Sequence, residues 1–162
     1  MATEYSSNAT QVVAANGSVI FTESPVPCNR GLVYHRDESG LFRLASFSTL
    51  SYGCDYIRMC FNRMPTANYE VAFHANINVP EDPAGTVEPI SLAIAVDGEI
   101  DPSSIMTFTP AAVGDLGNVG ADIIVSVPAI CRCASVAVRN ISDQPIEVQN
   151  ANIVFDFNGL RR

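Results

Sequence analysis

Alternation of apolar and polar residues with a period of two is the feature that most constrains the fold. From Tyr69 to Asn78, one parity carries Tyr69, Val71, Phe73, Ala75 and Ile77, and the other carries Glu70, His74, Asn76 and Asn78. Successive side chains of a β-strand point to opposite faces, so this segment predicts a strand with one buried face and one solvated face. Almost no segment has the period of a helix.

Similar short segments recur along the whole chain, separated by glycine, proline and asparagine. The clearest is Ile90 to Val96, which Asp97-Gly98 follows as a type I′ hairpin signal. Other predicted strands cover 12–13, 18–22, 31–35, 41–46, 56–61, 105–109, 121–127, 131–139, 146–149 and 151–157, with a turn-rich bridge at 111–120. About ten strands at this spacing predict one antiparallel all-β domain, a jelly-roll sandwich over residues 11–162. Residues 1–10 are polar, and we expect a flexible N-terminal lead there.

The charge balance excludes several classes of function. The chain has 17 acidic and 9 basic residues, a net charge of −8, and all of its basic residues are arginine. An acidic domain without a basic run does not favour nucleic-acid binding. The longest strongly apolar stretch, Ile90 to Val96, is far short of the ~20 residues that span a bilayer. No signal peptide is recognisable, so we expect synthesis in a cytoplasm and no membrane partner.

The five cysteines are Cys28, Cys54, Cys60, Cys131 and Cys133. An odd number without a secretion signal favours free thiols over disulfides. A structural zinc site requires paired Cys-x-x-Cys motifs, and the sequence has none. We therefore predict structural thiols and no metal.

The order of segments from about Tyr69 to Phe157 resembles a known group of proteins. The segments are YEVAFHANINVP, GTVEPISLAIAVDGE, MTFTPAAV, ADIIVSVP and CRCASVAVRNISDQPIEVQNANIVF. Upstream, Gly31, His35, Arg36, Gly40 and Phe42 match a G-x-x-x-H-R motif followed by a G-x-F turn. The chain thus resembles the small jelly-roll heads of Firmicutes phages and bacterial spore surfaces, which are similar in plan to trimeric tumour-necrosis-factor and complement-type globular domains.

The resemblance implies a homotrimer with a structural or adhesive role. Because the collagen-like Gly-x-y stalk of spore members is absent from this sequence, we expect a virion protein that decorates a phage capsid or forms a short head fibre. The N-terminal lead would attach it to the capsid or another virion lattice. The alternative is an adhesin or lectin-like receptor-binding head on a phage, spore or cell surface. Small and apolar positions predicted to pack between protomers are Ser91, Ala93, Ala95, Val125 and Val127.

Candidate chemical sites are few, and we predict no catalytic residue, no cofactor and no enzymatic activity. His35 lies beside Asp37, but the sequence has no Gly-x-Ser-x-Gly nucleophile motif, so a hydrogen-bonded turn is favoured. His74 falls on a solvated strand face, where an interface imidazole would sense pH.

Asp97, Glu99 and Asp101 offer carboxylates at alternate positions to calcium, although a plain hairpin tip is favoured. Glu81-Asp82 is a loop pair between prolines. Two histidines without a His-x-His motif do not suit a cupin-type metalloenzyme.

Overall fold

The computed structural model describes residues 2–27, 32–36, 38–46, 66–82, 84–128 and 133–161. These residues form twelve strands and one short 3-10 turn at Pro102–Ser104. The strands are β1 (Ala2–Ser7), β2 (Gln11–Val13), β3 (Glu23–Val26), β4 (Val33–His35), β5 (Phe42–Ala45), β6 (Thr66–Asn78), β7 (Ile90–Val96), β8 (Glu99–Ile100), β9 (Met106–Phe108), β10 (Gly117–Pro128), β11 (Cys133–Asn140) and β12 (Ile146–Arg161).

The strands pair into two antiparallel sheets. The first sheet has the order β10-β6-β12-β1-β3, and β2 pairs with the start of β12. The second has the order β4-β5-β11-β7-β8, and β9 pairs with β7. The buried faces of both sheets contribute to one hydrophobic cluster. This arrangement confirms the prediction of an antiparallel all-β sandwich. Within the described ranges, no helix has the length and apolar character needed to cross a membrane.

The predicted alternation of β6 is confirmed. Tyr69, Val71 and Phe73 are buried, whereas Glu70 and His74 on the other face are exposed. The rings of Phe21, Phe42, Phe73 and Phe155 contact one another between the sheets. The buried hydroxyl of Tyr69 donates to the backbone carbonyl of Ala45, which links the first sheet to β5 of the second.

The prediction of a flexible lead at residues 1–10 is wrong for residues 2–7. These residues form β1, which pairs with β12 on one side and β3 on the other. Thr3, Tyr5 and Ser7 face inward and are buried, and the Tyr5 ring packs against Phe42 at 4.9 Å between ring centroids. A polar segment of this kind is ordered because its backbone hydrogen bonds to both neighbours, which composition alone does not reveal.

Several strand boundaries differ from the prediction. β10 begins at Gly117, within the predicted turn-rich bridge, and β12 is one strand with an irregularity near Asn150, where φ is 51°. The Asp97-Gly98 turn is confirmed, since both residues have positive φ, 52° and 86°. Its return strand, however, starts at once with β8, and a 3-10 turn separates β8 from β9. The predicted strand at 56–61 lies outside the described residues.

Candidate functional site

His35 lies at the end of β4, where its contacts stabilise the hairpin. Its Nε2 lies 2.7 Å from the Ser39 carbonyl oxygen, and its ring stacks on Phe42 with 4.5 Å between centroids. These contacts join the ends of the β4–β5 hairpin. The favoured interpretation of a hydrogen-bonded turn agrees with this geometry, although the bond is to Ser39; Asp37 lies outside the described residues.

His74 lies on the outward face of the first sheet and is exposed. The strand register places Gly120 on one side of it and Asn152 on the other. Neither neighbour carries a charge, and Asn152 donates its amide hydrogen to Glu4 of β1. The imidazole therefore sits in a polar row of the sheet, where a second molecule has access to it.

Two carboxylates at the β7–β8 hairpin, those of Asp97 and Asp101, accept local hydrogen bonds. Asp97 accepts from the Ser135 backbone N–H at 2.8 Å, which ties the hairpin tip to β11. Asp101 accepts from the backbone N–H and the hydroxyl of Ser103, at 2.8 and 2.6 Å. Both hydrogen bonds lower the pKa of Asp101, and the bond from the Ser103 hydroxyl has the larger effect. Asp97 and Asp101 thus accept hydrogen bonds that hold turns within the protomer, in keeping with the favoured interpretation of a plain hairpin tip.

The predicted trimer-interface residues need correction. Val125 and Val127 belong to the core of the protomer, at 3% and 0% exposure, because β10 turns them inward opposite Tyr69 and Ala67. Ala93 and Ala95 lie on the outward side of β7 but are only 0% and 2% exposed. They have almost no surface left to bury against a second copy.

Ser91 is the exception among those five residues, since it is half-buried rather than buried. Its hydroxyl lies 2.7 Å from the Thr107 hydroxyl, across the β7–β9 pair. The hydroxyl is therefore already engaged within the protomer.

Cys133 is a free, exposed thiol at the start of β11. The other four cysteines lie outside the described residues. In the described part of the chain, no group of three or more His, Cys, Asp or Glu side chains is placed to hold a metal ion.

An acidic face covers the outward side of the first sheet. We define it by Glu4, Glu70, Asp122 and Asp156, which the register brings together with the apolar Ile124 and Val154. Ile124 is 69% exposed, a large value for an apolar side chain in the middle of a long strand.

A second surface, the hairpin face, lies on the outward side of β4 and β5. We define it by Tyr34, Arg36, Leu41 and Arg43, all of which are exposed. Tyr34 and Arg43 are cross-strand partners, and Tyr34 is 64% exposed. This surface is partly apolar, and its two arginines exceed the single carboxylate described in the same hairpin, Glu38, which is exposed in the turn. The acidic face belongs to the other sheet. The two surfaces are thus opposite in charge and lie on different sides of the molecule.

Ile124 is a residue that the sequence prediction missed, although a signal was present. Asp122 and Ser126 are polar and share the parity of Ile124, so they mark the outward side of β10. The run Ile123-Ile124-Val125 conceals that parity because all three residues are apolar.

Comparison with known proteins supports the fold. No protein-family model matches the chain, and no curated protein matches it. The solved globular domain of zebrafish complement 1qA protein is similar, with a TM-score of 0.55 and 12% identity over 99% of this chain and 98% of that chain. This chain has a complement-type jelly-roll fold.

A weaker similarity links the chain to a carbohydrate-binding domain. The family 35 carbohydrate-binding module from Clostridium thermocellum matches with a TM-score of 0.36 and 13% identity, over 94% of this chain and 97% of that chain. At such low identities the similarity to the complement domain establishes the fold alone, and the weaker match adds nothing to it.

Proposed function

We propose that this protein is a non-enzymatic structural head that assembles as a homotrimer on a virion, as a capsid decoration or head-fibre component. The observation that carries the proposal is the pair of unlike surfaces on one protomer, the acidic face and the hairpin face. The complement-type fold and the resemblance to phage heads support a trimer and the virion setting.

The two surfaces suit a closed ring of identical copies. In a cyclic trimer each interface is heterologous, which means that one patch of a protomer contacts a different patch of the next. Opposite charges on the two patches favour that contact and disfavour contact of either patch with itself. Exposed Ile124 on one surface and Tyr34 on the other supply apolar area for the centre of the interface.

The pairing of β1 within the first sheet argues against attachment to a larger lattice through the N-terminal segment. Because Ala2–Ser7 are paired within the first sheet, they are not free to act as a tether. We therefore place the attachment to the virion on loops or on the solvent-facing surface of the assembled trimer.

The rival function, an adhesin or lectin-like head, has less support from the described residues. Sugar-binding surfaces commonly use exposed aromatic rings as platforms, and Tyr34 is the one aromatic among the large hydrophobic side chains exposed in the described ranges. Binding on a glycan array by a trimer whose hairpin face is buried would favour this rival over a purely structural role.

Multi-angle light scattering of the full chain tests the assembly. We expect a mass three times the 17.4 kDa of one chain, and a shift toward the single-chain mass when Arg36 and Arg43 are both replaced by Glu. The matched control is Arg139→Glu, whose side chain bonds within the protomer to the Asn16 carbonyl oxygen. A monomeric wild-type chain at high concentration would contradict the proposal.

A further inference from the structure

A polar cavity of about 370 Å³ opens at the end of β6, at the border of the first sheet. It is lined by Asn78, Glu81, Asp82, Gly114, Leu116, Glu147 and Gln149. Three of these side chains are carboxylates, two are carboxamides, and none of the lining residues is basic. The cavity therefore concentrates oxygen atoms and negative charge.

Asn78 gives the cavity an unsatisfied acceptor. Its side chain is only 4% exposed, and its Oδ1 is buried without a hydrogen-bond partner. In the described part of the chain, Oδ1 of Asn78 is the one buried side-chain atom of this kind. Buried polar atoms in folded proteins almost always have a partner, so each exception calls for an explanation. A positive ion in the cavity that Asn78 lines would be that partner.

The sheet places Glu147 directly beside Asn78. Glu147 is the cross-strand partner of Asn78 in the β6–β12 pair, so both side chains start from adjacent points on the same face. Gln149 lies one row further along, and its Nε2 donates to Glu147 Oε1 at 2.9 Å. This bond orients the Glu147 carboxylate and leaves the amide oxygen as the other polar atom of the Gln149 side chain.

The lack of a side chain at Gly114 leaves room for a second carboxylate, that of Glu81 in the loop after β6. A Cβ atom at this position would lie 2.7 Å from Glu81 Oε1, so the carboxylate occupies the space that a side chain would fill. The φ of Gly114 is 81°, a conformation that other residues rarely adopt. Its backbone N–H donates to the Val79 carbonyl at 3.0 Å, which holds the two loops together.

We propose that this cavity binds a calcium ion. Calcium takes six to eight oxygen ligands from carboxylates, amide oxygens and water, in a flexible geometry, whereas magnesium requires a strict octahedron. Glu81 and Glu147 supply carboxylate ligands, and Asn78 and Gln149 supply amide oxygens. In the described residues no three acidic, imidazole or thiol side chains are placed so that they could hold one metal ion together, so the site also needs the amide oxygens and water. We expect a weak site, with a dissociation constant of about 10⁻⁴–10⁻³ M.

Isothermal titration of the full chain with calcium chloride tests the site. We expect one ion per chain, with magnesium at the same ionic strength at least tenfold weaker. Glu147→Gln and Glu81→Gln should each weaken calcium binding at least tenfold. The matched control is Glu99→Gln, which removes one exposed carboxylate from the β7–β8 hairpin and should leave binding unchanged. Equal heats for calcium and magnesium, or wild-type binding by Glu147→Gln, would overturn the proposal.

Asn78→Asp gives a second, independent readout in case a variant is unstable. Without calcium, the new buried carboxylate beside Glu147 should lower the melting temperature below that of the wild type. With calcium, the added ligand charge should tighten binding and raise the melting temperature of the variant by more than that of the wild type. A variant destabilised equally in chelator and in calcium would contradict the assignment of Asn78 as a ligand. None of these outcomes depends on the oligomeric state.

Discussion

The side-chain amide of Asn140 donates a hydrogen bond of 3.0 Å to the backbone carbonyl of Val13. The same group donates to the carbonyls of Ala14 and Gln144, at 3.2 and 2.9 Å. Its Oδ1 accepts from the Ser142 backbone N–H at 2.9 Å, so the fully buried side chain has partners for both of its polar atoms. One residue thus joins the end of β11, the turn before β12 and the segment after β2.

Replacing Asn140 with Ala should destabilise the fold markedly. Three backbone carbonyls lose a donor, the bond to the Val13 carbonyl being buried and the other two part-buried. A buried unsatisfied group costs about 1–3 kcal/mol. At about 2–4 °C per kcal/mol for a chain of this size, we expect a fall of several degrees in the melting temperature measured by circular dichroism. Asn118→Ala is the control, because its exposed amide donates to Asn76 alone. Melting of Asn140→Ala within a degree of the wild type would show that these bonds contribute little.

Gly117 and Phe108 offer a test of packing between the sheets. A Cβ at Gly117 would lie 2.2 Å from a ring carbon of Phe108, so the ring occupies the space beside the backbone of β10. Gly117→Ala should therefore destabilise the chain by about 1–3 kcal/mol, as overpacking does. Gly120→Ala is the control. A Cβ there would lie 3.2 Å from its nearest atom, the Phe73 carbonyl oxygen, so it should cause less strain than a Cβ at Gly117.

The double variant Gly117→Ala with Phe108→Leu separates a clash from a loss of strand flexibility. If the ring is the obstacle, the smaller side chain should recover part of the stability that Gly117→Ala loses. Chemical denaturation measures both changes as free energies of unfolding. Strictly additive losses would mean that the two residues do not act on each other.

The contribution of Asp101 to the free energy of unfolding should depend on pH. Hydrogen bonds from Ser103 lower its pKa in the folded state below the ordinary 3.8. A lowered folded pKa contributes stability that is complete above the unfolded value and is lost as the pH falls through the folded value. Ser103→Ala should thus reduce stability by about 0.5 kcal/mol or less at this exposed turn, and the difference from the wild type should shrink below pH 3.8.

The matched control for Asp101 is Ser126→Ala. The Ser126 hydroxyl donates to Asn68 Oδ1 at 2.7 Å, an exposed hydrogen bond to a neutral acceptor. Urea unfolding of both variants from pH 2 to pH 7 makes the comparison. The Ser126→Ala difference should stay constant, and a constant difference for Ser103→Ala as well would contradict the role given to Asp101.

The sequence predicts those parts of the fold where alternation is unbroken. β6 follows from the polar residues that separate its apolar ones, and β7 follows from the alternation of large apolar residues with small ones. The hairpin between β7 and β8 follows from Asp97-Gly98. β1 could not be found in this way, because Thr3, Ser6 and Ser7 are small polar residues that are buried only through pairing with β12 and β3. Long-range pairing of this kind has no local signature in a single sequence.

The candidate sites were less predictable than the fold. Most of the predicted interface positions are buried, for two reasons. Val125 faces the core, which the sequence does not reveal because Ile123, Ile124 and Val125 are all apolar. Ala93 and Ala95 face outward but are covered by neighbouring residues. Asn78 was predicted on the solvated face, and it lies on that face, yet the loops after β6 and before β10 enclose it in a cavity. The sequence distance between Glu81, Gly114 and Glu147 leaves no motif by which to recognise that cavity.

Ile124 provides the most direct test of the trimer. It is 69% exposed in one protomer and lies between Asp122 and Ser126 on the outward side of β10. Ile124→Asp should leave the protomer's stability within about 0.5 kcal/mol, as surface substitutions do. In the assembly it would place a charge where apolar Ile124 is proposed to pack against the hairpin face, at the desolvated centre of the interface, so we expect the trimer to dissociate.

Ile105→Asp is the matched control for that experiment. Ile105 is an isoleucine with 49% exposure, and it adjoins β9, which lies at the opposite end of the second sheet from β4. Light scattering at several protein concentrations should give the single-chain mass for Ile124→Asp and three times that mass for Ile105→Asp. If Ile124→Asp keeps the trimeric mass, the acidic face is not the interface. If both variants dissociate equally, the interface also includes the far edge of the second sheet, and the pairing of the acidic face with the hairpin face is wrong.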